Sequence, residues 1–536
     1  MSRHIETPHT VVTGGDDQRT SGRDARTMNI QAGKAVAEGI RSTLGPMGMD
    51  KMLVDPNGYV VVTNDGLSIL WEMNLSHPVA DMLIEVAETQ DETVGDGTTT
   101  AVLVAGALLA EAESLLEQGV HATTIAGGYK RAVDHAVEVL EELSVGVDAT
   151  DTGRLVDVAR TAMTGKGAQS GMADLAALVV DAVQAVDDGR TIDLDLVSLE
   201  PVVGGRVAES WLFEGVIVDK EPVDANMPYG VEDASVVVYG GALTVQEADV
   251  DSEVTLSTPD QVRDLVETEQ AQLREQVRAL TGVGADVLFV DGDVDDFAQH
   301  LLADAEILAV RQVGGDDQRA VARSTGAAIV SSLSNLDEDA VGAADSVVQK
   351  NLGGDPMLFV ENGSDSEAVT VLVRGGTEHV TDEVERTLED ALGAVRTTIE
   401  TRRVLPGGGA SEVAIAASLR RRADSVAGRE QLAIEAFADA METIPVALAE
   451  NAGLSSIDTV VELRREHDSG DAACGLDVTT GEIRDMLEQH VVEPVESKRQ
   501  AIEAAAEVAV EILRIDDVIV ADQAADGADD LPGGQA

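Results

Sequence analysis

The sequence GDGTTT at residues 95–100 stands directly before a long apolar run that begins at Ala101 and predicts a helix. Glycine lets the backbone approach an anion closely, and a helix N-terminus offers unpaired N–H groups with a partial positive charge. The three threonines add hydroxyl donors, and Asp96 supplies one carboxylate, which suits a Mg²⁺ ion otherwise held by phosphates and water. Two interpretations follow from this segment: a phosphate-binding loop, or an ordinary helix N-cap with glycine in the turn.

Other glycine-rich and acidic segments leave similar pairs of interpretations open. LGPMG at 44–48 can present backbone N–H groups or cap a helix C-terminus, and NDG at 64–66 has the chemistry of a hairpin turn. Lys166, one of seven lysines, lies in a Gly/Thr loop either as a phosphate sensor or as an ordinary exposed side chain. GGG at 407–409 can pack against a flat base or serve as a flexible linker. Asp390 lies on a predicted helix away from its apolar stripe, which is typical of a solvated face.

The composition is that of an acidic, aliphatic chain of 536 residues, enough for three or four domains of about 150 residues each. Hydrophobic residues make up 44%, which excludes wholesale disorder, whereas aromatic residues make up only 2%, so the cores must be aliphatic. With 37 basic and 99 acidic residues the formal net charge is −62. Molar salt screens this self-repulsion because the Debye length falls to about 3 Å. We expect a protein of a salt-loaded cytoplasm that binds neither nucleic acid nor an anionic membrane.

Cysteine, histidine and hydropathy patterns exclude several other classes. Cys474 is the only cysteine, which excludes an intrachain disulfide and a cysteine-based zinc site, and the nine histidines show no metal-binding spacing. Residues 1–26 are polar and charged, without the apolar segment of a signal peptide. The longest apolar run, 101–116, is interrupted by Glu111 and Glu113 and is too short to span a bilayer. We therefore expect a soluble, cytoplasmic protein.

The texture of the chain changes twice along its length. Residues 28–143 have a mainly helical pattern, and 217–369 alternate short apolar strands with helices, as in the predicted strands 287–290, 307–310 and 327–330. That alternation indicates an α/β domain with parallel strand pairing. Helical texture returns after a strand at 370–373. The simplest architecture is an α/β domain inserted into a helical domain whose halves come from both ends of the chain.

Taken together, the order and spacing of these segments resemble a group II chaperonin subunit, the family of the archaeal thermosome and the eukaryotic cytosolic ring. The resemblance runs from about residue 22 to residue 521 and, with the charge, points to a halophilic archaeon. The matching stretches are GRDARTMNI at 22–30, RSTLGPMGMDKMLVD at 41–55, TNDGLSIL at 63–70, ETQDETVGDGTTT at 88–100, TGKG at 164–167, LVRGGTEHV at 372–380, PGGGA at 406–410 and the segment from VEPVESKRQ to the end of LRIDDVIVA at 492–521.

The resemblance implies the multidomain chaperonin fold. It assigns a helical equatorial ATPase domain to 1–148 and 404–521, an intermediate domain to 149–216 and 370–403, an apical α/β substrate-binding domain to 217–369, and a disordered tail to 522–536. A helical lid protrusion is expected at about 249–280, where Thr258, Pro259 and Gln261 form a capping box before an apolar stripe. An ordinary apical surface helix is the alternative for that segment.

The resemblance also implies the roles of individual residues. Asp65 and Asp390 match the two carboxylates that position and activate the attacking water, and Asp96 matches the Mg²⁺ ligand. The nucleotide-binding positions fall on Thr43, Leu44, Gly45, Pro46, Asn64, Gly97, Thr98, Thr99, Thr100, Lys166, Gly408, Asp477 and Glu493. Two positions depart from the family pattern: Met47 replaces a basic residue, and Asp477 replaces an Asn and can only accept hydrogen bonds when ionised.

The implied function is that of an ATP-dependent chaperone. ATP and Mg²⁺ are the implied cofactors, with K⁺ as a further cation, and the implied partners are unfolded protein clients and identical or paralogous ring subunits. A built-in lid makes a separate co-chaperonin unnecessary. Two alternatives are a non-hydrolysing structural ring subunit and a metabolic enzyme with a nucleotide-binding α/β domain.

Overall fold

The structure is a computed structural model that describes residues 18–54, 56–58, 60–73, 75–165, 172–187, 189–244, 259–362 and 368–520. The α-helices of these ranges are α1 (Arg23–Ile40), α2 (Gly66–Glu72), α3 (Pro78–Val94), α4 (Thr98–Glu117), α5 (Ala122–Leu143), α6 (Thr152–Met163), α7 (Met172–Ala185), α8 (Pro259–Gly282), α9 (Asp296–Asp304), α10 (Gly315–Thr325), α11 (Glu378–Thr401), α12 (Ala410–Ala423), α13 (Glu430–Met441), α14 (Thr443–Asn451), α15 (Ser456–Ser469) and α16 (Val495–Arg514).

The strands of the same ranges are β1 (Gln18–Ser21), β2 (Lys51–Val54), β3 (Val60–Thr63), β4 (Val145–Gly146), β5 (Val197–Val203), β6 (Trp211–Phe213), β7 (Gly215–Val218), β8 (Gly230–Tyr239), β9 (Val287–Val290), β10 (Leu308–Val310), β11 (Ile329–Val330), β12 (Gly342–Leu352), β13 (Asp355–Asn362), β14 (Val369–Gly375), β15 (Arg403–Pro406), β16 (Cys474–Asp477), β17 (Glu482–Asp485), β18 (Val492–Pro494) and β19 (Asp517–Val520).

The chain divides into two compact units. Unit 1 joins Met1–Val147 to Thr401–Ala536, and unit 2 is the intervening segment Asp148–Glu400. Within unit 1, β1 pairs antiparallel with β19, so strands from opposite ends of the sequence lie side by side. A central segment is thus inserted into a helical unit built from both ends of the chain. The finer division of the chain into three domains remains a prediction.

Helix α4 lies at the centre of unit 1. It packs against α1, α3, α13 and α16, and a Cβ atom built on Gly106 would overlap the Cβ of Ala37, so α1 and α4 approach closely. In the part of the chain that the structure describes, α4 is the one helix long and apolar enough to cross a membrane, and 61% of its most apolar window is buried. The helix has 20 residues, so the expectation that the run 101–116 is too short was wrong; packing against its neighbours accounts for its hydropathy.

An ion cluster around one buried carboxylate joins three helical segments of unit 1. Glu442, between α13 and α14, is 5% exposed and accepts hydrogen bonds of 2.8 Å from both Nη atoms of Arg420 on α12. Arg464 of α15 also donates to both oxygens of this carboxylate. Burial alone would raise the pKa of Glu442, but the hydrogen bonds from the two arginines hold it below its ordinary value.

Unit 2 is organised around a seven-stranded mixed sheet. Its order is β10-β9-β8-β12-β13-β7, with β11 beside the end of β8. The strands predicted at 287–290, 307–310 and 327–330 belong to its parallel half, whereas β12, β13 and β7 run antiparallel, which the sequence interpretation did not include. Both faces are buried, because alternate residues of β8 and β9 enter two different hydrophobic clusters.

A small aromatic cluster stands beside that sheet. Trp211 stacks on Phe359 with ring centroids 6.2 Å apart, and Phe213 meets both rings edge to face. The ammonium of Lys350 lies 4.5 Å from the Phe359 ring centroid. This cluster concentrates three of the few aromatic side chains of the chain at the junction of β6 and β13.

Unit 2 also contains an acidic cavity of about 680 Å³ lined by residues of β5, β7, α10 and α11. Burial raises the pKa of Glu200 to about 8, and the charges of Asp219, Asp317 and Glu385 add to this effect. Burial, with the charges of neighbouring acids, raises the pKa of Glu385 to about 7. The cavity therefore holds carboxyl groups that favour their protonated form.

Helix α8 contains the second part of the predicted lid segment. Residues 249–258, including Thr258, and the side chain of Gln261 lie outside the described residues. Along α8, Leu273 and Val277 are buried in the unit 2 core, whereas Leu265 and Val266 are 43% and 42% exposed. Among the described side chains of the predicted apolar stripe, Leu273 and Val277 toward the C-terminal end of the helix are therefore buried, and Leu265 and Val266 are exposed.

Candidate nucleotide site

The first turn of α4 follows a three-residue connection from α3. Gly95 ends α3 at φ 75° and Gly97 begins α4 at φ 90°, both in the left-handed region that glycine adopts without strain, with Asp96 between them. Gly97 provides no side-chain cap for α4. The interpretation of this segment as an ordinary helix N-cap with glycine in the turn therefore fits the geometry, and the N–H groups of the first helical turn, which receive no side-chain cap, also suit an anion.

A second helix begins beside the first turn of α4. Asp65 is the N-cap of α2 and accepts a hydrogen bond of 2.7 Å from the N–H of Ser68 through Oδ2. A Cβ atom built on Gly66 would overlap Oγ1 of Thr99, so the start of α2 lies against the start of α4. The hairpin interpretation of NDG at 64–66 is wrong, because Asp65 connects β3 to a helix instead of joining two strands.

The loop at 44–48 is fixed to α14. Asn451 donates from Nδ2 to the carbonyl of Leu44 at 2.8 Å and to that of Arg41 at 3.1 Å. The loop follows a 3₁₀ turn at Arg41–Thr43, which also contacts α4. Thr43 is buried and donates its hydroxyl to the carbonyl of Ile40 at 2.8 Å. The loop is thus anchored on two sides of the same unit.

The three glycines at 407–409 are closely packed, so their interpretation as a flexible linker is wrong. A Cβ atom on Gly408 would lie 2.8 Å from the carbonyl oxygen of Leu476, whose N–H donates to the Gly408 carbonyl at 2.9 Å. A Cβ atom on Gly407 would lie 3.0 Å from Oε1 of Glu493, and one on Gly409 would lie 2.9 Å from Cβ of Pro445 on α14. Glycine is required here because β16, β18 and α14 all approach the backbone.

The side chain of Asp477 forms hydrogen bonds within the turn that follows it. Its carboxylate accepts hydrogen bonds from the N–H groups and the hydroxyls of Thr479 and Thr480. Partial burial acts to raise the pKa of Asp477, but these hydrogen bonds hold it below the ordinary value. Its side chain therefore stabilises the connection between β16 and β17.

Glu493, on β18, is a partly buried carboxylate near the start of α16. One of its oxygens lies 2.7 Å from Nζ of Lys498. Burial raises the pKa of Glu493, Lys498 opposes this effect, and the charges of Glu412 and Asp96 add to it. Asp96 thus lies near enough to Glu493 for their charges to interact.

The predicted site residues are divided between the two units. Asp390 lies on α11 in unit 2 and is half-buried, while the Leu388 and Leu392 side chains of the predicted apolar stripe are buried. Lys166 lies outside the described residues. Unit 1 contains the other predicted site residues: Thr43, Leu44, Gly45, Pro46, Asn64, Asp65, Asp96, Gly97, Thr98, Thr99, Thr100, Gly408, Asp477 and Glu493.

Four residues of this site escaped the sequence interpretation: Gln90, Glu412, Asn451 and Lys498. Each acts through a contact with a residue distant in sequence, which local patterns do not reveal. Two carried a usable signal, because Glu412 interrupts an apolar helix and Lys498 is one of seven lysines. A charge in such a position calls for a buried partner.

Within the described ranges no group of three or more His, Cys, Asp and Glu side chains is arranged to hold a metal ion. Asp96 at the uncapped first turn of α4 fits a Mg²⁺ ion that takes most of its ligands from phosphates and water. Glycine connections, two adjacent helix N-termini and acidic side chains thus form a candidate phosphate-binding site in the unit built from both chain ends.

Comparison with known proteins identifies the family. The sequence model of the TCP-1/cpn60 chaperonin family matches residues 36–523, and the chain belongs to this family. It is similar to thermosome subunit 1 of Haloferax volcanii, with 56% identity over 98% of this chain and 92% of the relative. It is also similar to thermosome subunit alpha of Halobacterium salinarum, with 54% identity over 100% of this chain and 94% of the relative, and to a thermosome subunit of Methanopyrus kandleri, with 50% identity over 94% and 93%.

The resemblance to a group II chaperonin of halophilic archaea is thereby confirmed. The chain is an ATP-dependent chaperonin subunit of a double-ring chamber, and it couples ATP hydrolysis to protein folding.

Proposed function

We propose that unit 1 binds ATP with Mg²⁺ at the first turn of α4 and that Asp65 of the same unit is a catalytic residue. From the family resemblance of its segment, Asp390 of unit 2 is proposed as the second catalytic residue. The observation that carries the proposal is the contact of Gly66 with Thr99, which brings the start of α2 and the uncapped start of α4 together. Two helix N-termini in one place favour the binding of a polyanion.

The phosphate end of the site would be formed by backbone N–H groups and hydroxyls. Gly97 and the threonines at 98–100 are proposed to bind phosphate oxygens, and the loop at 44–48 is proposed to face the same group. Asp96 would hold Mg²⁺, which neutralises charge on the phosphates when bound. Phosphoryl transfer needs placement and charge stabilisation more than covalent help, and these residues supply both.

Asp65 is proposed to orient the attacking water and accept its proton. The N–H of Ser68 fixes the Asp65 carboxylate as an N-cap, so its orientation is set before substrate binds. Asp390 on α11 is proposed as the second carboxylate, and Lys166 as a residue that contacts the terminal phosphate. These two assignments are supported by the family resemblance of their segments.

The sugar and base are proposed to lie against Gly408 and Glu493. Gly408 has no side chain, and its backbone is held in place by close packing on Leu476. Glu493 offers a carboxylate for a ribose hydroxyl. Because Asp477 is held by Thr479 and Thr480, we propose that it shapes this end of the site without donating to the base.

We further propose the three-domain division of the family, with α8 as part of a built-in lid. The exposed side chains of Leu265 and Val266 on α8 would contact unfolded clients or other lid segments. Aliphatic capture suits a chain with only 2% aromatic residues, and molar salt weakens charge steering while leaving hydrophobic attraction strong.

The test is ATP hydrolysis by the assembled protein in molar KCl. Asp65→Ala and Asp390→Ala are each expected to lower the rate by about 100-fold or more, because each removes a group that positions or activates water. Glu85→Ala on α3 and Glu400→Ala on α11 are matched controls, since both remove exposed carboxylates from the same helical surroundings. Wild-type hydrolysis by either aspartate variant would remove that residue from the catalytic set.

A further inference from the structure

Gln90 ties the connection before α4 to the last helix of the chain. It lies on α3, is fully buried, and donates from Nε2 to the carbonyl of Asp96 at 2.7 Å and to that of Ser497 at 3.0 Å. A Cβ atom on Gly97 would lie 3.0 Å from the same Nε2 atom. Glycine at 97 therefore leaves the space that Gln90 occupies.

Lys498, the next residue of α16, ties the same helix to the opposite end of the site. Its Nζ atom lies 2.7 Å from Oε1 of Glu412 and 2.7 Å from Oε2 of Glu493. The side chain of Lys498 is 9% exposed and that of Glu412 is 2% exposed. Burial alone would favour the neutral amine, but the two carboxylates hold the pKa of Lys498 well above its usual value, so the ammonium remains charged.

These contacts form one continuous path. Gln90 donates hydrogen bonds to the backbone carbonyls of Asp96 and Ser497. Lys498 follows Ser497 in the sequence and forms an ion pair with Glu493. The path begins at the proposed Mg²⁺ ligand and ends at the proposed ribose contact. We name it the α16 brace and define it as Gln90, Glu412, Glu493, Ser497 and Lys498.

The brace places an amide and an ion pair in buried positions. A buried ion pair often contributes no more stability than apolar side chains of similar size, because desolvating both charges opposes their attraction. Among the residues that the structure describes, Oε1 of Gln90 and Oε2 of Glu412 are both buried without a hydrogen-bond partner. Because these directional contacts carry a desolvation cost, we explain them by the positions in which they hold Asp96 and Glu493.

We infer that Gln90 and Lys498 are positioning residues of the nucleotide site. Both contact the start of α16, and through it they fix the distance between the residues proposed to bind Mg²⁺ and phosphate and the residue proposed to bind the ribose. This inference rests on the proposed function and adds residues that do not themselves contact the nucleotide. Partners that orient a contacting residue change metal affinity or activity by about 10- to 100-fold when they are replaced.

Gln500 provides a matched control for Gln90. It lies on α16 and donates from Nε2 to the carbonyl of Thr89 at 3.1 Å, so it joins the same two helices without touching the connection before α4. In the assembled full-length protein in molar KCl, Gln90→Met is expected to lower kcat/KM for ATP by about 10-fold or more and to raise the Mg²⁺ concentration for half-maximal activity. Gln500→Met is expected to stay within about twofold of wild type in both.

Lys34 provides the control for Lys498. Its Nζ atom lies 2.7 Å from Glu113, in an ion pair of the same unit away from the proposed site. Lys498→Met is expected to reduce the preference for ATP over 2′-deoxy-ATP and 3′-deoxy-ATP by about fivefold or more, because Glu493 loses its anchor. Lys34→Met keeps the wild-type preference. If Lys498→Met does not assemble, Glu412→Gln removes one of the two anchors while keeping the ammonium, and a smaller change in the same direction is expected.

Each result supports or overturns the brace. A Mg²⁺ requirement for Gln90→Met equal to that of wild type, or an unchanged ribose preference in assembled Lys498→Met or Glu412→Gln, overturns it. A purely structural role would lower thermal stability without moving either readout. Failure of the proposed function is distinguishable, because it would appear as wild-type hydrolysis by Asp65→Ala or Asp96→Ala, whatever the brace variants do.

Discussion

Replacing Glu200 by Gln tests whether the acidic cavity of unit 2 makes stability depend on pH. The pKa of Glu200 rises from 4.5 to about 8, mainly through burial. A carboxyl with a raised folded-state pKa contributes stability that is complete below about pH 4.5 and is lost as the pH rises through about 8. The wild-type protein is therefore expected to lose stability across this window. Glu200→Gln is expected to lose less, because the contribution of Glu200 is removed while those of Glu385 and Asp317, whose pKa values are also raised, remain.

The magnitude follows from the same pKa difference. At 1.36 kcal/mol per pKa unit the full effect is about 5 kcal/mol. Part of it comes from the charges of Asp219, Asp317 and Glu385, which molar salt screens, so we expect a change of about 2 kcal/mol. For a unit of this size, that corresponds to a shift of about 4–8 °C in Tm.

The assay is differential scanning calorimetry in molar KCl at about pH 5 and about pH 9. Relative to wild type, Glu200→Gln should gain about 2 kcal/mol between these conditions, and the exposed Glu232→Gln in the same unit serves as the control. A variant whose Tm follows that of wild type at both pH values would refute the account of the cavity.

Three further predictions concern unit 1. Gly106→Ala forces α1 and α4 apart at Ala37 and should lower the free energy of unfolding by about 1–3 kcal/mol in chemical denaturation; an unchanged midpoint would contradict the close approach. Glu442→Gln replaces the buried carboxylate that two half-exposed arginines share, so calorimetry should report a loss of about 1–3 kcal/mol, and a variant as stable as wild type would argue against the cluster as a source of stability. Met47→Lys restores a positive charge at an exposed position and should lower KM for ATP severalfold at about 0.1 M salt but not at about 1 M; an effect that persists in high salt would not be electrostatic.

Local patterns in the sequence were sufficient for several elements. The strand at 287–290 has the bounds of β9 because a short, fully apolar run in α/β texture matches a strand buried on both faces. The stripe through Leu388 and Leu392 predicted a helix whose apolar face is buried, as it is in α11. These features depend on residues within one or two turns of each other, which a sequence displays directly.

Features that depend on distant partners were predicted poorly. NDG at 64–66 looks like a hairpin turn in isolation, and only the contact of Gly66 with Thr99 makes it the start of a helix beside α4. The glycines at 407–409 look like a linker until β16 and β18 are packed against them. Gln90 and Ser497 are separated by 407 positions along the chain, so no spacing rule could connect them. The individual site roles remain predictions for the hydrolysis assay.

The aromatic cluster of unit 2 has a practical consequence for spectroscopy. The chain contains two tryptophans, Trp71 on α2 in unit 1 and Trp211 on β6 in unit 2. Trp71 donates its indole N–H to Glu88, whereas Trp211 stacks on Phe359, so the two indoles have different surroundings. Each compact unit thus contains its own intrinsic fluorophore, and Trp71→Phe or Trp211→Phe would silence one emission signal and leave the other to follow its unit through a nucleotide cycle.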